Sequence, residues 1–457
     1  MATGATDISQ EKGLQCKEIF IDIKQVGDPN WGPECCIYKV PKRLRKVKEE
    51  AYTPKLISIG PVHHNNSELK EMQMVKERYF KSFFSQTYKG QKEFACIIEK
   101  NKDKICNCYA PEISQQIKNE NFVEMVLLDS IFIIELFMRS YRKEENDYIL
   151  SKPWLKDGIM QDLILLENQL PFFILDKLYQ HFTGNPNFLE LACSYFFSRK
   201  EKCRETTEKF LPPSSVNQVK HFTDLQRNFF HSPKQIPGDP IEHRHSATKL
   251  DMAGLIFQNE KGPEKNRRLL QVEIQKGNKL LEIFPCFNCS LLLHCLPCLK
   301  KIPFLESMQT RLVIPHFVID NKTEDLFRNL MALEQCHYPD KAYICNYILL
   351  LDFLINSKDD VELLVEEGII VHSLGSNKAV AEMVNKLGQE IVEENSYYCK
   401  VAEDLNKYYR NWWNKNMESL KTVYFRDIWR GTATVVGIIV LVVTIMNFLR
   451  PFVFRHI

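Results

Sequence analysis

The sequence carries almost no net charge, since 60 Lys and Arg residues are balanced by 58 Asp and Glu residues. Such a balance gives no overall field that would favour binding to nucleic acid. Residues 1–20 contain no basic region followed by an apolar run, so we expect no secretory signal peptide. The motifs of P-loops, dinucleotide sites, serine-hydrolase elbows and zinc-protease helices are also missing. The sequence therefore points to none of these common enzyme classes.

What the chain does have is length, an ordinary composition and many cysteines. Its 457 residues allow two or three domains. A content of 44% hydrophobic and 26% charged residues is typical of a folded globular protein. Because no signal peptide is expected, the 15 cysteines are interpreted as reduced thiols and not as a disulfide framework.

Ionisable side chains are absent from one long run near the carboxyl end, Thr432–Leu449, which lies between Arg430 and Arg450. As a helix, about 18 residues reach roughly 27 Å, close to the hydrocarbon thickness of a thin bilayer. A helix packed inside the protein normally shows a polar face, and this run has none. We therefore predict a membrane anchor from Thr432 to Leu449, within a span of about 431–449. A packed core helix is the alternative.

Basic residues flank this run unevenly and predict its orientation. Four precede it and two follow it: Lys415, Lys421, Arg426 and Arg430, against Arg450 and Arg455. The positive-inside rule then places the preceding residues on the cytosolic side. The prediction is a single-pass membrane protein with a cytosolic body and with membrane lipid as one partner.

Most of the remaining chain is helical in pattern. We divide the protein into a mobile leader (1–32), a helical body (33–425) and an anchor (426–457), with a Cys-rich insertion (284–312) inside the body. Residues 323–337 are one of the predicted helices. The turn Lys276-Gly277-Asn278 separates two short apolar runs, Leu269–Ile274 and Lys279–Ile283, and predicts a β-hairpin. The predicted fold class is mainly α: a multi-helix globular body with a small β-hairpin, followed by one C-terminal transmembrane helix.

Two apolar segments carry polar residues that are candidates for chemistry. The first, Phe122–Met138, contains Glu124, Asp129 and Glu135, and the two glutamates project from one face of a helix. A pair of carboxylates with shifted pKa values can perform acid–base catalysis. No matched nucleophile or metal-binding histidine stands near them in the sequence. Pairing of the buried acids with Lys or Arg is therefore the competing interpretation.

The second segment, Asp162–Phe182, contains Pro171, which must break or kink a helix. Three polar residues, Glu167, Asn168 and Gln169, come shortly before the proline. Their side chains offer donors and acceptors for backbone groups that a helix break sets free. We predict this structural role for them.

Cysteine spacing in the insertion suggests one metal site. Two Cys-x-x-Cys pairs, separated by only five residues, supply the thiols of Cys286, Cys289, Cys295 and Cys298. Four thiolates can bind a structural zinc ion, but zinc folds usually leave more chain between the pairs. Acylation beside the apolar Leu291–Leu293, or no special role, are the alternatives. We predict no bound metal and keep these four as candidates.

Histidines and a basic run complete the candidates. We interpret His63-His64 and the pair His243 and His245 as polar loop residues, with a metal site or a proton shuttle as the alternative. The run Lys42–Lys48 has five cations in seven residues. It is interpreted as a solvated face, with anionic-lipid binding and nuclear import as the alternatives.

Eight motifs stand in order along the chain: IYKVPKRLR (37–45), AYTPKLISIGPVHH (51–64), MVLLDSIFIIELF (125–137), DLILLENQLPFFIL (162–175), HFTDLQR (221–227), SATKLDMAGLIF (246–257), TEDLFRNLMALEQC (323–336) and the terminal apolar run. Together they resemble the plant family called domain of unknown function 247, from roughly Ile37 to the carboxyl end.

The resemblance implies a plant protein that is mostly α-helical, usually with a C-terminal membrane helix, and without an established reaction. Some relatives are associated with self-incompatibility in grasses, which suggests recognition or signalling. One departure is visible. The family passes quickly from a Leu-x-Ile-Pro strand to an Ile-Asp pair, whereas here Leu281–Ile283 and Ile319-Asp320 are separated by the Cys-rich insertion.

We therefore predict a tail-anchored protein-interaction or signalling module with no catalytic residue and no cofactor. Its partners would be other proteins and membrane lipid, and not nucleic acid. The alternative is a membrane-associated enzyme of unrecognised type that uses Glu124, Asp129, Glu135 or Glu167. A polar pocket that gathers two of these acids with a histidine would favour the enzyme. Acids that are each tied to a cation or to backbone would favour the module.

Overall fold

A computed structural model describes residues 32–114, 121–184, 187–197, 219–230, 232–241, 245–260, 268–277, 309–424 and 428–453. Within these ranges the protein is mainly helical, in agreement with the prediction. The helices of the amino-terminal half are α1 (Lys42–Val47), α2 (Lys70–Ser85), α3 (Gln91–Lys100), α4 (Lys102–Asn107), α5 (Pro111–Ser114), α6 (Phe122–Arg142), α7 (Pro153–Asp162), α8 (Phe172–Thr183), α9 (Phe188–Phe197) and α10 (Phe222–Phe229).

Helix α6 is the centre of the amino-terminal half. Its sequence is apolar nearly all round, which is the pattern of a helix enclosed by protein. Helices α2, α3, α8 and α9 pack against it, and residues such as Ile131, Phe132 and Ile134 are fully buried. The helix ends at Lys143, which adopts a left-handed conformation with φ 56°.

The carboxyl-terminal half adds further helices and five short strands. The helices are α11 (Ala247–Met252), α12 (Thr323–His337), α13 (Tyr343–Leu354), α14 (Lys358–Glu366), α15 (Asn377–Leu387), α16 (Cys399–Arg410), α17 (Trp412–Tyr424) and α18 (Ile428–Val453). The strands are β1 (Ile256–Asn259), β2 (Glu273–Gln275), β3 (Arg311–Ile314), β4 (Phe317–Ile319) and β5 (Ile370–His372).

The strands form two small sheets. Strand β3 lies between β1, to which it is parallel, and β2, to which it is antiparallel. Strands β4 and β5 form a parallel pair. The first arm of the predicted hairpin corresponds to β2, but its described partner is β3, far along the chain. The predicted second arm, 279–283, lies outside the described residues.

Two hydrophobic cores are present, and helix α12 belongs to both. The first core contains residues from the amino-terminal half, together with Ala332 and Leu333 of α12. The second contains residues of the carboxyl-terminal half, including Leu330 and Met331 of the same helix. At about 100° per residue, the pair Leu330 and Met331 projects from roughly the opposite side of α12 to the pair Ala332 and Leu333, so its two sides are covered by different parts of the chain. Helix α12 therefore connects the two halves through apolar packing.

The prediction of a C-terminal transmembrane helix is wrong for the described part of the chain. None of the helices described there combines the length and the apolar character needed to cross a membrane. The predicted anchor, Thr432 to Leu449, lies in α18.

Several predicted segments lie wholly or largely outside the described residues. They include the leader up to residue 31 and the insertion from residue 284 to 308. The division of the chain into leader, body, insertion and anchor therefore stays a prediction.

Candidate functional site: a buried polar junction

The predicted helix break at Pro171 is confirmed. Helix α7 ends at Asp162, and Pro171 is the residue immediately before α8. The residues between form a buried loop whose backbone groups need partners. Gln169 Nε2 donates to the carbonyl oxygens of Leu163 and Leu165, both at 2.7 Å. Its Oε1 accepts the backbone N–H of Phe222 at 2.9 Å.

Asn168 joins this loop to the chain near the amino terminus. Its Nδ2 donates to the carbonyl oxygens of Asp162 and Ile57, at 2.9 and 3.0 Å. Its Oδ1 accepts the N–H of Ile59 at 2.7 Å. The predicted role of the polar triplet, which is to satisfy backbone groups at the break, is therefore confirmed for Asn168 and Gln169, whereas Glu167 binds the distant Val40 and Arg45. The segment that it binds, residues 37–60, is here called the strap.

Asp162 holds the middle of the strap. One of its oxygens accepts the N–H of Lys55 at 3.0 Å, and the other accepts those of Leu56 and Ile57 at 2.6 and 2.8 Å. Burial raises the pKa of this carboxyl group, although the three backbone hydrogen bonds oppose that shift. The sequence analysis did not identify this role of Asp162, because its carboxylate oxygens accept hydrogen bonds from a segment about a hundred positions away.

Asp129 holds the end of the strap. Its Oδ2 accepts the N–H of Gly60 at 2.9 Å, and its Oδ1 accepts Lys76 Nζ at 2.5 Å. The same Nζ donates to the carbonyl oxygen of Ser58 at 2.5 Å. The side chains of Asp129 and Lys76 are both only 2% exposed. The prediction that this buried acid pairs with a cation is confirmed.

A glycine is required at position 60, where the strap passes the buried loop before α8. Its φ of 73° lies in the left-handed region, where a side chain is strained. A Cβ added there would lie 2.4 Å from the backbone oxygen of Gln169. Only glycine allows the strap to pass this close to the loop.

Glu167 ties the start of the strap to the basic run. It accepts the N–H of Val40 at 2.7 Å and forms an ion pair with Arg45, and His63 Nε2 lies 3.4 Å from it. Burial would raise the pKa of Glu167. Hydrogen bonds from His63, Arg45 and Val40 outweigh burial, so its pKa is lowered. The carboxylate is therefore held in its charged form.

The basic run is a set of connections as well as a surface. It forms helix α1 and the residue after it. Lys48 Nζ lies 2.9 Å from Glu324 and 2.8 Å from Asp325, both on helix α12, and Arg43 lies 2.7 Å from Glu390. The interpretation of this run as merely a solvated face is therefore wrong for Arg45 and Lys48. Lys42 and Lys46 are exposed.

The acids of helix α6 do not form a catalytic pair. Glu124 is exposed and Glu135 is fully buried, because the two ends of the helix reach the surface and its middle turns are enclosed by other helices. Arg139 Nε donates to Glu135 Oε1 at 2.7 Å, and Arg139 also lies 2.9 Å from Asp147. Glu135 Oε2 has no hydrogen-bond partner among the described residues. This oxygen is enclosed and offers no face to a substrate.

A further buried ion pair lies where the two halves meet. Arg227 Nε donates to Glu334 Oε1 at 2.9 Å, and the other oxygen of Glu334 accepts the N–H groups of Ile344 and Cys345 at 2.9 Å. The Arg227 guanidinium lies 4.2 Å from the ring centre of Tyr338. Burial raises the pKa of Glu334, against the effect of Arg227. These contacts fix α10, α12 and α13 relative to one another.

Two histidines that the sequence analysis did not single out lie in enclosed positions: His221 is fully buried and His337 is half-buried. His221 Nε2 lies 3.0 Å from the carbonyl oxygen of Cys36, and burial lowers the pKa of His221 to about 3. His337 Nδ1 lies 2.9 Å from the hydroxyl of Tyr38, and burial lowers the pKa of His337 to about 4. Both rings are therefore neutral near pH 7. The sequence analysis had pointed only to the first of them, since His221 begins the HFTDLQR motif.

The histidines that were singled out are dispersed. His64 is exposed, and His245 stacks on Tyr409 with ring centres 3.8 Å apart. His243 lies outside the described residues, as do the zinc candidates Cys286, Cys289, Cys295 and Cys298. Among the residues that the structure does describe, no group of three or more His, Cys, Asp or Glu could hold a metal ion. The zinc and acylation hypotheses stay untested.

Comparison with known proteins supplies relatives but no reaction. UPF0481 protein At3g47200 of Arabidopsis thaliana is 25% identical over 446 residues, which cover 90% of this chain and 85% of the relative. Putative UPF0481 protein At3g02645 of the same plant is 24% identical, over 89% of this chain and 88% of the relative. No solved structure matches the chain. The sequence model of the domain of unknown function 247 family, described as plant protein of unknown function, matches residues 37–443, and the chain belongs to this family.

Proposed function

We propose that the protein is a non-catalytic interaction module, in which the buried polar junction keeps a surface rigid for a protein partner. One observation carries the proposal: each buried candidate acid has its own cation. Asp129 pairs with Lys76, Glu135 with Arg139 and Glu167 with Arg45. A general acid or base must reach a proton of the substrate. These hydrogen-bonded oxygens instead contact the protein's own side chains and backbone.

The geometry around His63 also supports the proposal of a module over that of an enzyme. Of the four candidate acids, Glu167 is the one that His63 approaches, and no second candidate acid pairs with this histidine. Asp129 and Glu167 bind different parts of the strap. Such an arrangement supports a structural task, since charge-assisted hydrogen bonds of this kind fix the geometry of the groups they join.

Ion pairs extend this rigidity across both halves. Lys48 and Lys55 of the strap, which is bound to the first half, both reach Asp325 of helix α12, at 2.8 and 3.0 Å. Arg227 of α10 reaches Glu334 of the same helix. A body held in this way loses little conformational entropy when a partner binds, which favours affinity.

The contact surface that we assign is an exposed aromatic patch, made of Met74, Arg78, Tyr148, Lys152 and Trp154. The side chains of Met74, Tyr148 and Trp154 are 66%, 45% and 65% exposed. Arg78 and Lys152 lie 5.8 and 3.9 Å from the ring centre of Tyr148. Trp, Tyr and Arg dominate binding energy at protein interfaces. Because its charged members are cations, the patch suits a partner segment that carries carboxylates.

Proximity labelling in plant tissue tests this assignment. The perturbed protein carries Arg78→Ala and Trp154→Ala, and the matched control carries Trp412→Ala, an exposed tryptophan of α17. We expect the patch variant to lose specific neighbours that the wild type and the control retain. A recovered neighbour is then purified, and its affinity for the patch variant should fall by roughly 30-fold, the effect of removing a binding hot spot of about 2 kcal/mol. Equal affinities would reject the patch.

The enzyme alternative makes a different prediction for the isosteric Glu167→Gln. If the protein is a module, this variant binds the partner normally at temperatures where it is folded. Loss of function in a variant that is folded and still binds the partner would favour an enzyme. The cytosolic location and the lipid partner stay predictions from the sequence.

A further inference from the structure

Five cysteines lie close together where the strap begins. Cys35 and Cys36 come immediately before the strap, Cys106 lies in the last turn of helix α4, Cys108 directly follows that helix, and Cys336 lies in the last turn of α12. Their charges influence one another's pKa values, which places all five in one neighbourhood. The proposed interaction surface uses none of them.

Within this cluster, Cys36 and Cys108 are direct neighbours. The N–H groups of Cys36 and Ile37 both donate to the carbonyl oxygen of Cys108 at 2.9 Å, and Ile37 pairs with Tyr109 in a parallel bridge. Chains joined by such backbone hydrogen bonds lie about 5 Å apart. That separation falls in the range of about 4.4–6.8 Å between Cα atoms that a disulfide requires.

Cys36 and Cys108 each come one residue before a member of the bridge between Ile37 and Tyr109, so their side chains leave the bridge on the same face. Each of the two cysteines shifts the pKa of the other, which agrees with this placement. Cys108 Sγ donates to the carbonyl oxygen of Lys104 at 3.3 Å, so a disulfide requires that the two sulfurs turn toward each other. Neither residue is in a disulfide in this structure; both are free thiols.

We propose that Cys36 and Cys108 form a redox modification site, at which a peroxide converts the two thiols into a disulfide that fastens the strap to helix α4. The thiolate of Cys108 attacks one oxygen of hydrogen peroxide, the O–O bond breaks, and Cys108 becomes a sulfenic acid as hydroxide leaves and takes up a proton. The sulfur of Cys36 then attacks the sulfur of Cys108. The S–S bond forms and the sulfenic oxygen departs as water, so that two thiols are oxidised while one peroxide is reduced to two waters.

The surroundings assign different tasks to the two sulfurs. The interaction with Cys36 lowers the pKa of Cys108, against the effect of burial, and the charges of Lys104 and Lys220 act in the same direction. The interaction with Cys108 and burial together raise the pKa of Cys36. Thiolates are the reactive form, so Cys108 is the attacking residue and Cys36 the resolving one. Cys108 is 5% exposed and follows the exposed Asn107, which suits an oxidant as small as hydrogen peroxide.

Peptide mapping of the whole protein tests the proposal. The purified chain is treated with hydrogen peroxide, its remaining thiols are alkylated in denaturant, and it is digested with trypsin without reduction. Cleavage after Lys24, Lys39, Lys104 and Lys118 yields two peptides, one with Cys35 and Cys36 and the other with Cys106 and Cys108. We expect these two peptides to be linked in the wild type and to separate after reduction.

Paired variants then assign the bond. A protein with Cys35→Ser and Cys106→Ser keeps only the proposed cysteines in the two peptides, and we expect the link to persist. The reciprocal protein, with Cys36→Ser and Cys108→Ser, should lose it. Cys96→Ser is the background for all of them, because Cys96 is exposed and would form bonds between molecules.

A thermal readout shows whether the bond forms in the folded protein. Oxidation should raise the midpoint of thermal unfolding of the wild type, because a crosslink restricts the unfolded chain, and reduction should reverse the shift. The proposal is overturned if the wild type gives no link while its thiols survive or are oxidised further. It is also overturned if the link forms in the reciprocal variant instead.

Discussion

The buried pair of Lys76 and Asp129 offers the sharpest test of the polar junction. Both side chains are 2% exposed and their charged atoms lie 2.5 Å apart. Replacing Lys76 by Met keeps the volume of the side chain and removes its charge. The carboxylate of Asp129 then retains only the N–H of Gly60, and the carbonyl oxygen of Ser58 loses its donor.

The cost follows from the loss of one partner from a buried ion pair, which is typically about 3–5 kcal/mol. Asp129→Asn alone should cost a similar amount, because it leaves the Lys76 ammonium unpaired. Together, the two substitutions leave no charge behind, and the remaining cost of about 1–3 kcal/mol reflects the unsatisfied carbonyl oxygen of Ser58. The two residues should therefore show a coupling free energy of at least about 2 kcal/mol.

Urea unfolding of the wild type, the two single variants and the double variant measures this coupling. The control is Lys378→Met, which breaks the exposed pair of Lys378 and Glu382 on helix α15 and should cost less than about 0.5 kcal/mol. The reasoning is refuted if Lys76→Met costs no more than the control. A coupling free energy near zero would refute it equally.

Three further predictions test other parts of the structure. Gly60→Ala should destabilise the protein by several kcal/mol, roughly the sum of left-handed strain and a backbone clash. Gly184→Ala, at φ 77° with open space around it, should cost only about 1 kcal/mol. Melting curves of both variants measure the two losses of stability, and equal losses would contradict the clash at Gly60. The pKa of His337 is lowered to about 4, so this residue stays neutral in the folded protein down to that pH. In the unfolded chain it binds a proton below about pH 6.5. The contribution of His337 to the free energy of unfolding is therefore fully present above pH 6.5 and is lost between pH 6.5 and 4, by about 2 kcal/mol at pH 5. Urea unfolding at pH 7 and 5 should show this loss shrink in His337→Gln, and an unchanged loss would reject the assignment. Lys48→Met removes two ion pairs to helix α12 and should lower the free energy of unfolding by about 1 kcal/mol at low salt. The control Lys42→Met, at an exposed position, should lower it by less than about 0.5 kcal/mol. Equal values in urea unfolding would show that Lys48 does not fix the strap to helix α12.

Local sequence signals predicted local structure well. Pro171 cannot continue a helix, so the break before α8 was predictable from covalent geometry alone. In the polar triplet beside it, Asn168 and Gln169 were correctly assigned to the freed backbone, because their side chains reach carbonyl groups only a few residues away, whereas the assignment was wrong for Glu167, whose partners Val40 and Arg45 are distant in sequence. Helix α12 begins and ends where its pattern predicted, at 323 and 337.

Long-range partners were not predictable in this way. Nothing near Lys48 in sequence indicates that its partners stand at Glu324 and Asp325, so the basic run was interpreted as a solvated face. The spacing of Glu124 and Glu135 correctly placed them on one side of a helix, but it could not show that the helix emerges at the surface before Glu135 is reached. Burial depends on the neighbours of a helix, which spacing does not contain.

The terminal run shows the limit of a composition argument. Uncharged residues from Thr432 to Leu449 predicted a membrane helix, and the described part of α18 does not meet the requirement for crossing a bilayer. The prediction of the β-hairpin shows a different limit. Its first arm became β2, but strand pairing joins β2 to β3 across the insertion, and short strands carry no signal that identifies so distant a partner.

The central claim is that buried acids hold the strap as a fixed structural part and do not serve a reaction. Amide hydrogen exchange of the strap tests it most directly, because the N–H groups of Leu56, Ile57, Ile59 and Gly60 are bound to Asp162, Asn168 and Asp129. The account predicts that these amides exchange as slowly as those in the middle of helix α6, and that Asp162→Asn accelerates the first two selectively. Exchange as fast as that of the exposed turn at Thr87–Lys89 in the wild type would contradict it.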